Sequence, residues 1–270
     1  MEKKDILKKI KKIEIKSTIL SNTIFAGEYH SCLKGNGMEF SDIRRYSQGD
    51  DVKKIDWKVT AKQGKAYIKE FVEERELPVF LLVDMSYSDR FEDKKNLISE
   101  LVATLAFSAN KNGDRVGALF FTEKVEKAIP LKKGKKHILS IIENLLLYNP
   151  KYKGTNIKEA LRYFGKIFKK RGIIFIISDF LDNDFEKEIK ILKNRHEIIP
   201  IQILDKKYDA IPKGAIFSLE DSETGEEIIV ETLKNELSLQ SLQLKGSIKI
   251  DINDDYVKAL TNYFRKGKKI

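Results

Sequence analysis

From residue 78 onward, apolar and polar positions follow two alternating rhythms. Short, mostly apolar runs at 78–83, 115–121, 173–178 and 197–204 are separated by longer stretches in which apolar residues recur every three or four positions. Compact aliphatic runs bounded by turn formers read as buried strands, and the 3.6-residue period reads as helix. The pattern predicts strand 79–84, helix 94–110, strand 115–121 and a short strand 124–130 that forms a hairpin around Thr122-Glu123. Helices at 136–147 and 156–169 then lead to strand 173–178, helix 185–193 and strand 197–204. Strands alternating with helices in this way predict an α/β fold, a doubly wound, mostly parallel Rossmann-like sheet covered on both faces.

The flanking regions are less regular. Segments 215–219 and 227–230 flank an acidic, glycine-containing turn and predict a hairpin, and 232–243 reads as a short helix. A last strand is expected at 247–252, with Asn253 or Asp254 capping a closing helix that runs to about 265. At the other end, Ile6, Leu7, Ile10 and Ile13 fall on one helical face with lysines opposite. Such a helix docks on the protein's own body, or, as the alternative, lies on a membrane surface. Between 27 and 76, glycines at 27, 35, 37, 49 and 64 interrupt short extended stretches, notably 66–72. That texture predicts an irregular, strand-rich appendage without its own core, so the chain divides into 1–77 and 78–270, with the appendage packed on the later body.

Composition narrows the classes. The chain has 270 residues, of which 41% are hydrophobic, enough for a proper core. Its 51 basic and 41 acidic residues leave a net charge of +10. Lysine is spread along the whole chain, which speaks for a global bias more than for a nucleic-acid groove. A single cysteine, Cys32, excludes an intrachain disulfide and fits a reducing compartment. Residues 1–16 lack the apolar core of a signal peptide, and no apolar run approaches the ~20 residues of a membrane span. A cytoplasmic protein is expected. His30, His137 and His196 lie far apart, which argues against zinc.

The chemistry concentrates at strand ends. Asp84-Met85-Ser86-Tyr87-Ser88 follows the first buried strand directly, and Ser178-Asp179 ends another. Lys153-Gly154-Thr155-Asn156 opens a helix. One carboxylate and two hydroxyls on alternate residues can converge on a hard cation, although for a lone copy the turn or helix-cap reading is favoured.

Together the three segments resemble the metal-ion-dependent adhesion site of von Willebrand factor type A domains. The resemblance implies Asp84, Ser86, Ser88, Thr155 and Asp179 as ligands of one Mg²⁺ or Mn²⁺ at a surface cleft, with an acidic residue of a protein partner completing the shell. A second resemblance runs through Gly27-Glu28-Tyr29-His30-Ser31, Gly35-Asn36-Gly37-Met38-Glu39-Phe40, Asp42-Ile43-Arg44-Arg45-Tyr46, Gly49-Asp50-Asp51, Ile55-Asp56-Trp57 and Thr60-Ala61. This block is similar to the bacterial family called domain of unknown function 58, which implies a type A-like domain after it and a MoxR-type AAA+ ATPase as partner. The implied role is a non-enzymatic adaptor. A metal-dependent phosphoesterase and a basic nucleic-acid-binding protein are the alternatives, but no histidine stands in the three loops and no phosphate-binding glycine loop is present. Within the block, Gly49-Asp50-Asp51 reads as an acidic turn or a second cation site, the turn being favoured. Arg44 and Arg45 read as an anion-binding patch or as partners of Asp42, Asp50 and Asp56 in an ion network, the network being favoured, and Trp57 as a core anchor.

Overall fold

The computed structural model describes residues 3–24, 38–73, 76–86, 91–152, 154–182, 184–204, 216–220, 227–231 and 246–266. The chain forms two compact units, Met1–Cys32 with Leu77–Ile270, and Leu33–Glu76. The N-terminal helix thus belongs with the α/β unit, whereas the sequence grouped it with the segment that follows.

In the larger unit a six-stranded sheet has β3 (Pro78–Asp84) and β6 (Ile173–Ser178) at its centre. Beyond β6 come β7 (Glu197–Leu204) and β10 (Ile248–Asp251); beyond β3 come β4 (Arg115–Phe121) and the edge strand β5 (Val125–Lys132). All neighbours run parallel except β4 and β5, which form the expected hairpin. The sheet is therefore mostly parallel, and the α/β fold class read from the sequence is the one observed.

Every residue of β3 is buried, as a strand covered on both faces requires. Alternation sends Phe80 and Leu82 to one face. There they join Leu119, Phe121, Ile174 and Ile176 under α5 (Ile157–Ile167) and α6 (Glu186–Lys193), whose Leu161, Phe164, Ile189 and Leu192 complete the cluster. Leu81 and Val83, also fully buried, take the other face, where α3 (Phe91–Lys111) packs on β3 and β4. Leu97, Leu101 and Leu105 recur every four residues along α3 and are buried. A Cβ on Gly172 would lie 2.6 Å from the Pro78 carbonyl oxygen, so the starts of β6 and β3 approach more closely than a side chain allows. Pro200 falls on the stretch of β7 before β10 joins at Ile201, where a missing N–H is tolerated.

Helix α1 (Lys3–Ile24) runs on past Ile13, and Ser17 and Ser21 continue the buried stripe of Ile10 and Ile13. It packs on α3 and on α4 (Lys135–Leu147), with Lys16 paired to Glu100 and Lys135 to Glu14, each at 2.5 Å. This is the docked helix; Leu7, expected on its apolar face, points outward. The tail shows the hairpin β8 (Ile216–Glu220) and β9 (Glu227–Glu231) and the closing helix α7 (Tyr256–Lys266). Asp255 accepts from the Val257 N–H at 3.0 Å, taking the capping place expected of Asn253 or Asp254. The helix expected at 232–243 lies outside the described residues.

The smaller unit is a hairpin of β1 (Met38–Arg45) and β2 (Tyr67–Glu73), bulged between Phe40 and Asp42, with α2 (Trp57–Gln63) in the connection. Gly49-Asp50 is a turn: Gly49 has φ +106° and the Asp50 N–H donates to the Ser47 carbonyl at 3.1 Å. Both terminal nitrogens of Arg44 donate to Asp50 at 2.7 Å, and this holds the Asp50 carboxyl down at about 2. Asp56 accepts the Lys58 and Val59 N–H groups at the start of α2 and pairs with Lys69 at 3.5 Å. The expected pairing of Arg44 with Asp50 is thus present, and Asp56 serves as a helix cap. Trp57 contradicts its predicted role as a core anchor, being 68% exposed. A bulged hairpin and one seven-residue helix offer too little depth to enclose an indole.

Candidate functional site

The chain leaves β3 for β4 on one side and returns through β6 on the other, so the carboxyl ends of β3 and β6 flank a topological switch point, where ligands of open α/β sheets collect. Val83 pairs with Ile177, which sets Asp84 beside Ser178. The Ser178 hydroxyl donates to Asp84 Oδ2 at 2.6 Å, and the Ser86 N–H donates to Asp84 Oδ1 at 2.9 Å. The loop also holds to β4, the Met85 N–H donating to the Phe121 carbonyl at 2.8 Å.

Asp84 was expected at a surface cleft and is instead 1% exposed. Strand β3 is central, so its last residue is still walled in by both neighbours. Burial pushes the Asp84 carboxyl up; the positive charge of Lys94 opposes this, and the negative charge of Asp179 adds to it. Asp179 titrates the other way. Burial would raise it, but the charge and hydrogen bond of Lys94 hold it below the usual carboxylate range. Lys94 Nζ donates to Asp179 Oδ2 at 2.8 Å. Asp84, Met85, Ser86, Lys94 and Lys95 line one small cleft.

The turn after β6 is rigidly defined. Phe180 has φ +58° and is fully buried, an uncommon conformation for a bulky residue, costing on the order of 1–3 kcal/mol. Its N–H donates to Ser178 Oγ at 3.1 Å, while Gln202 of β7 donates to the Asp179 carbonyl at 3.1 Å. These contacts hold the 178–180 turn, and the Ser178 hydroxyl ties that turn to Asp84.

Thr155 reaches the same edge through its neighbours. The Gly154 N–H donates to Glu123 Oε1 at 3.1 Å, the Asn156 N–H to the Thr122 carbonyl at 2.9 Å, and the Ile157 N–H to Asp182 Oδ2 at 2.7 Å. Asn156 caps α5 by accepting from the Glu159 N–H. Upstream, Glu126 gathers the Thr122 and Tyr148 hydroxyls and the Lys151 and Tyr152 N–H groups, at 2.5–3.2 Å. Burial and this carboxylate push the Tyr148 phenol up to about 12.

Of the five residues read as ligands, Asp84, Ser86 and Asp179 gather at the ends of β3 and β6, and Thr155 sits in a loop tied to that edge. Ser88 lies outside the described residues. Sequence reasoning missed Lys94 and gave no role to Ser178. The only signal for Lys94 was a lysine opening a helix directly after the acidic loop.

Two carboxylates and neutral hydroxyls are the oxygen donors that Mg²⁺ or Mn²⁺ takes. Among the described residues no cluster of three or more histidine, cysteine or acidic side chains gathers, so any cation here would depend on hydroxyls and water for the rest of its shell. The donor set fits such an ion, and the centre already draws a positive charge, the Lys94 ammonium. His137 and His196 are engaged elsewhere: His137 Nε2 lies 2.9 Å from the Val116 carbonyl oxygen, and His196 packs on Phe164 and Phe168.

Residues 42–241 match the family described as Protein of unknown function DUF58, and the chain belongs to that family. Uncharacterized proteins of Mycobacterium bovis and Mycobacterium tuberculosis are 28% identical over 209 residues, 75% of this chain. The match spans 66% of those relatives' own length. An uncharacterized Bacillus subtilis protein is 30% identical over 107 residues, 40% of this chain and 26% of that protein. Among solved structures, a conserved hypothetical protein BatB from Bacteroides thetaiotaomicron is 20% identical, with a TM-score of 0.44, covering 72% of this chain and all of that one. An aerotolerance-related membrane protein from Bacteroides fragilis is 20% identical, with a TM-score of 0.46, covering 70% of this chain and 99% of that one. At these scores neither likeness bears on function. Among the described residues no helix is long and apolar enough to cross a membrane.

Proposed function

We propose that this protein is a non-enzymatic, metal-dependent protein-interaction module of the von Willebrand factor type A kind. In this reading Asp84, Ser86, Ser88, Thr155 and Asp179 hold one Mg²⁺ or Mn²⁺, and an acidic side chain of a protein partner completes the coordination. The observation that carries the reading is that Asp84 and Asp179 stand at the carboxyl ends of two neighbouring parallel strands, near enough for the charge of one to act on the other, with Ser86 in the turn after Asp84. Two carboxylates among neutral hydroxyls do not over-neutralise a divalent ion, which can then accept one more anionic oxygen from outside. Catalysis of phosphoester cleavage would ask for a base or a second ion beside the first. The two described histidines are held against the Val116 carbonyl and the phenylalanine cluster.

The partner class proposed is a MoxR-type AAA+ ATPase or its client, an implication of the family resemblance. The experiment is affinity capture from cell extract with Mg²⁺ or with EDTA, using wild type and Asp84→Asn. The reading expects a MoxR-type ATPase or a client to be retained only with metal and with Asp84 intact. Retention indifferent to both would overturn it. Metal-dependent cleavage of a phosphodiester, lost in Asp84→Asn, would replace it with the hydrolase alternative, and salt-sensitive retention of nucleic acid with the basic-surface alternative.

A further inference from the structure

Lys94 stands where a lysine is not expected. It lies in the first turn of α3, the end of a helix that repels cations, and its side chain is only 6% exposed. Removing an ammonium from water is unfavourable unless a carboxylate meets it. Its neighbour Lys95 is buried as well, but for a structural purpose. Lys95 Nζ donates to the Tyr148 carbonyl at 2.8 Å, at the end of α4, where a helix accepts positive charge. Lys94 is directed instead at the acidic pair, with Nζ 2.8 Å from Asp179 Oδ2 and its charge felt by Asp84.

We propose that Lys94 is a tethered counter-cation of the Asp84–Asp179 pair, closing the site when no divalent ion is bound and withdrawing when one binds. This rests on the metal-binding reading above and adds a competitor from within the chain. An ammonium and a hard divalent ion seek the same carboxylate oxygens, and two cations sharing them repel strongly. The flexible four-carbon stem lets the ammonium swing to solvent while its helix stays in place. The closed form explains how two carboxylates whose charges repel are held at neighbouring strand ends without metal. It also means that metal binds only the lysine-open fraction, so the apparent affinity is weaker than the intrinsic one by that fraction.

The test is calorimetric titration of Mn²⁺ into the full chain, wild type against Lys94→Met, with Lys94→Gln as a second variant should the apolar side chain impair folding. If about a tenth of the wild-type molecules are open, removing the ammonium tightens binding about tenfold. Tighter binding by the variant, or binding by the variant where wild type is silent, supports the proposal. Equal or weaker binding by the variant, with wild type binding, overturns it and leaves the metal reading standing. Silence of both overturns the metal reading and this inference with it. A second measurement uses unaltered protein: lysine acetylation read by mass spectrometry with and without Mn²⁺. Lys94 should be protected without the metal and several-fold more reactive with it. Equal reactivity at a saturating metal concentration would contradict the exchange.

Discussion

Ser178 and Asp84, 94 positions apart in sequence, are joined by a hydrogen bond of 2.6 Å between the carboxyl ends of two neighbouring parallel strands. Both residues are buried, so the bond satisfies a carboxylate that water cannot reach. It also ties the acidic end of β3 to the turn that carries Asp179.

Ser178→Ala leaves Asp84 Oδ2 without this donor and is expected to destabilise the fold by about 1–3 kcal/mol. Urea unfolding of wild type and variant measures it. A shift smaller than a few tenths of a kcal/mol would mean that the bond does not organise the site.

Glu126 acts at one remove. Its carboxylate collects two hydroxyls and two backbone N–H groups from the β4–β5 turn and the 148–152 segment, upstream of Thr155. Glu126→Ala should cost about 1–3 kcal/mol in urea unfolding and also weaken Mn²⁺ binding, by loosening the loop that presents Thr155. Unchanged metal affinity in a folded variant would detach Thr155 from the site.

His196 supplies a pH dependence of defined sign. The ring is 4% exposed, packs on Phe164 and Phe168, and has no hydrogen-bond partner at either nitrogen. Burial, helped by the charge of Arg195, lowers it to about 4. Between that value and the ordinary value near ~6.5, the unfolded chain binds a proton that the folded chain refuses. The contribution of His196 is therefore fully present above about pH 6.5 and is lost progressively as pH falls toward about 4. His196→Phe should remove this component, so the gap in unfolding free energy between variant and wild type should widen in the variant's favour from pH 7.5 to pH 5. A gap independent of pH would contradict the assignment.

The α/β body was legible because its strands are compact apolar runs such as 173–177 and its helices keep a 3.6-residue period. The positions of Asp84 and Asp179 followed from the same runs, since each lies at or just beyond a strand's end. That the charge of Asp179 reaches Asp84 did not, because it depends on β3 and β6 being neighbours. Lys94 was illegible for a different reason. In a lysine-rich chain, one more lysine at a helix start reads as solvated, and only the fold reveals that it turns inward. Trp57 misled in the opposite direction, since an indole suggests a core that the small unit cannot supply.

Calorimetric titration of Mn²⁺ into wild type and Asp84→Asn tests the central claim most directly. The substitution preserves the shape of the buried side chain and removes its charge. The account predicts saturable single-site binding in wild type, weakened by about tenfold or more in a variant that remains folded. Equal heats and equal affinity in the two proteins would contradict it.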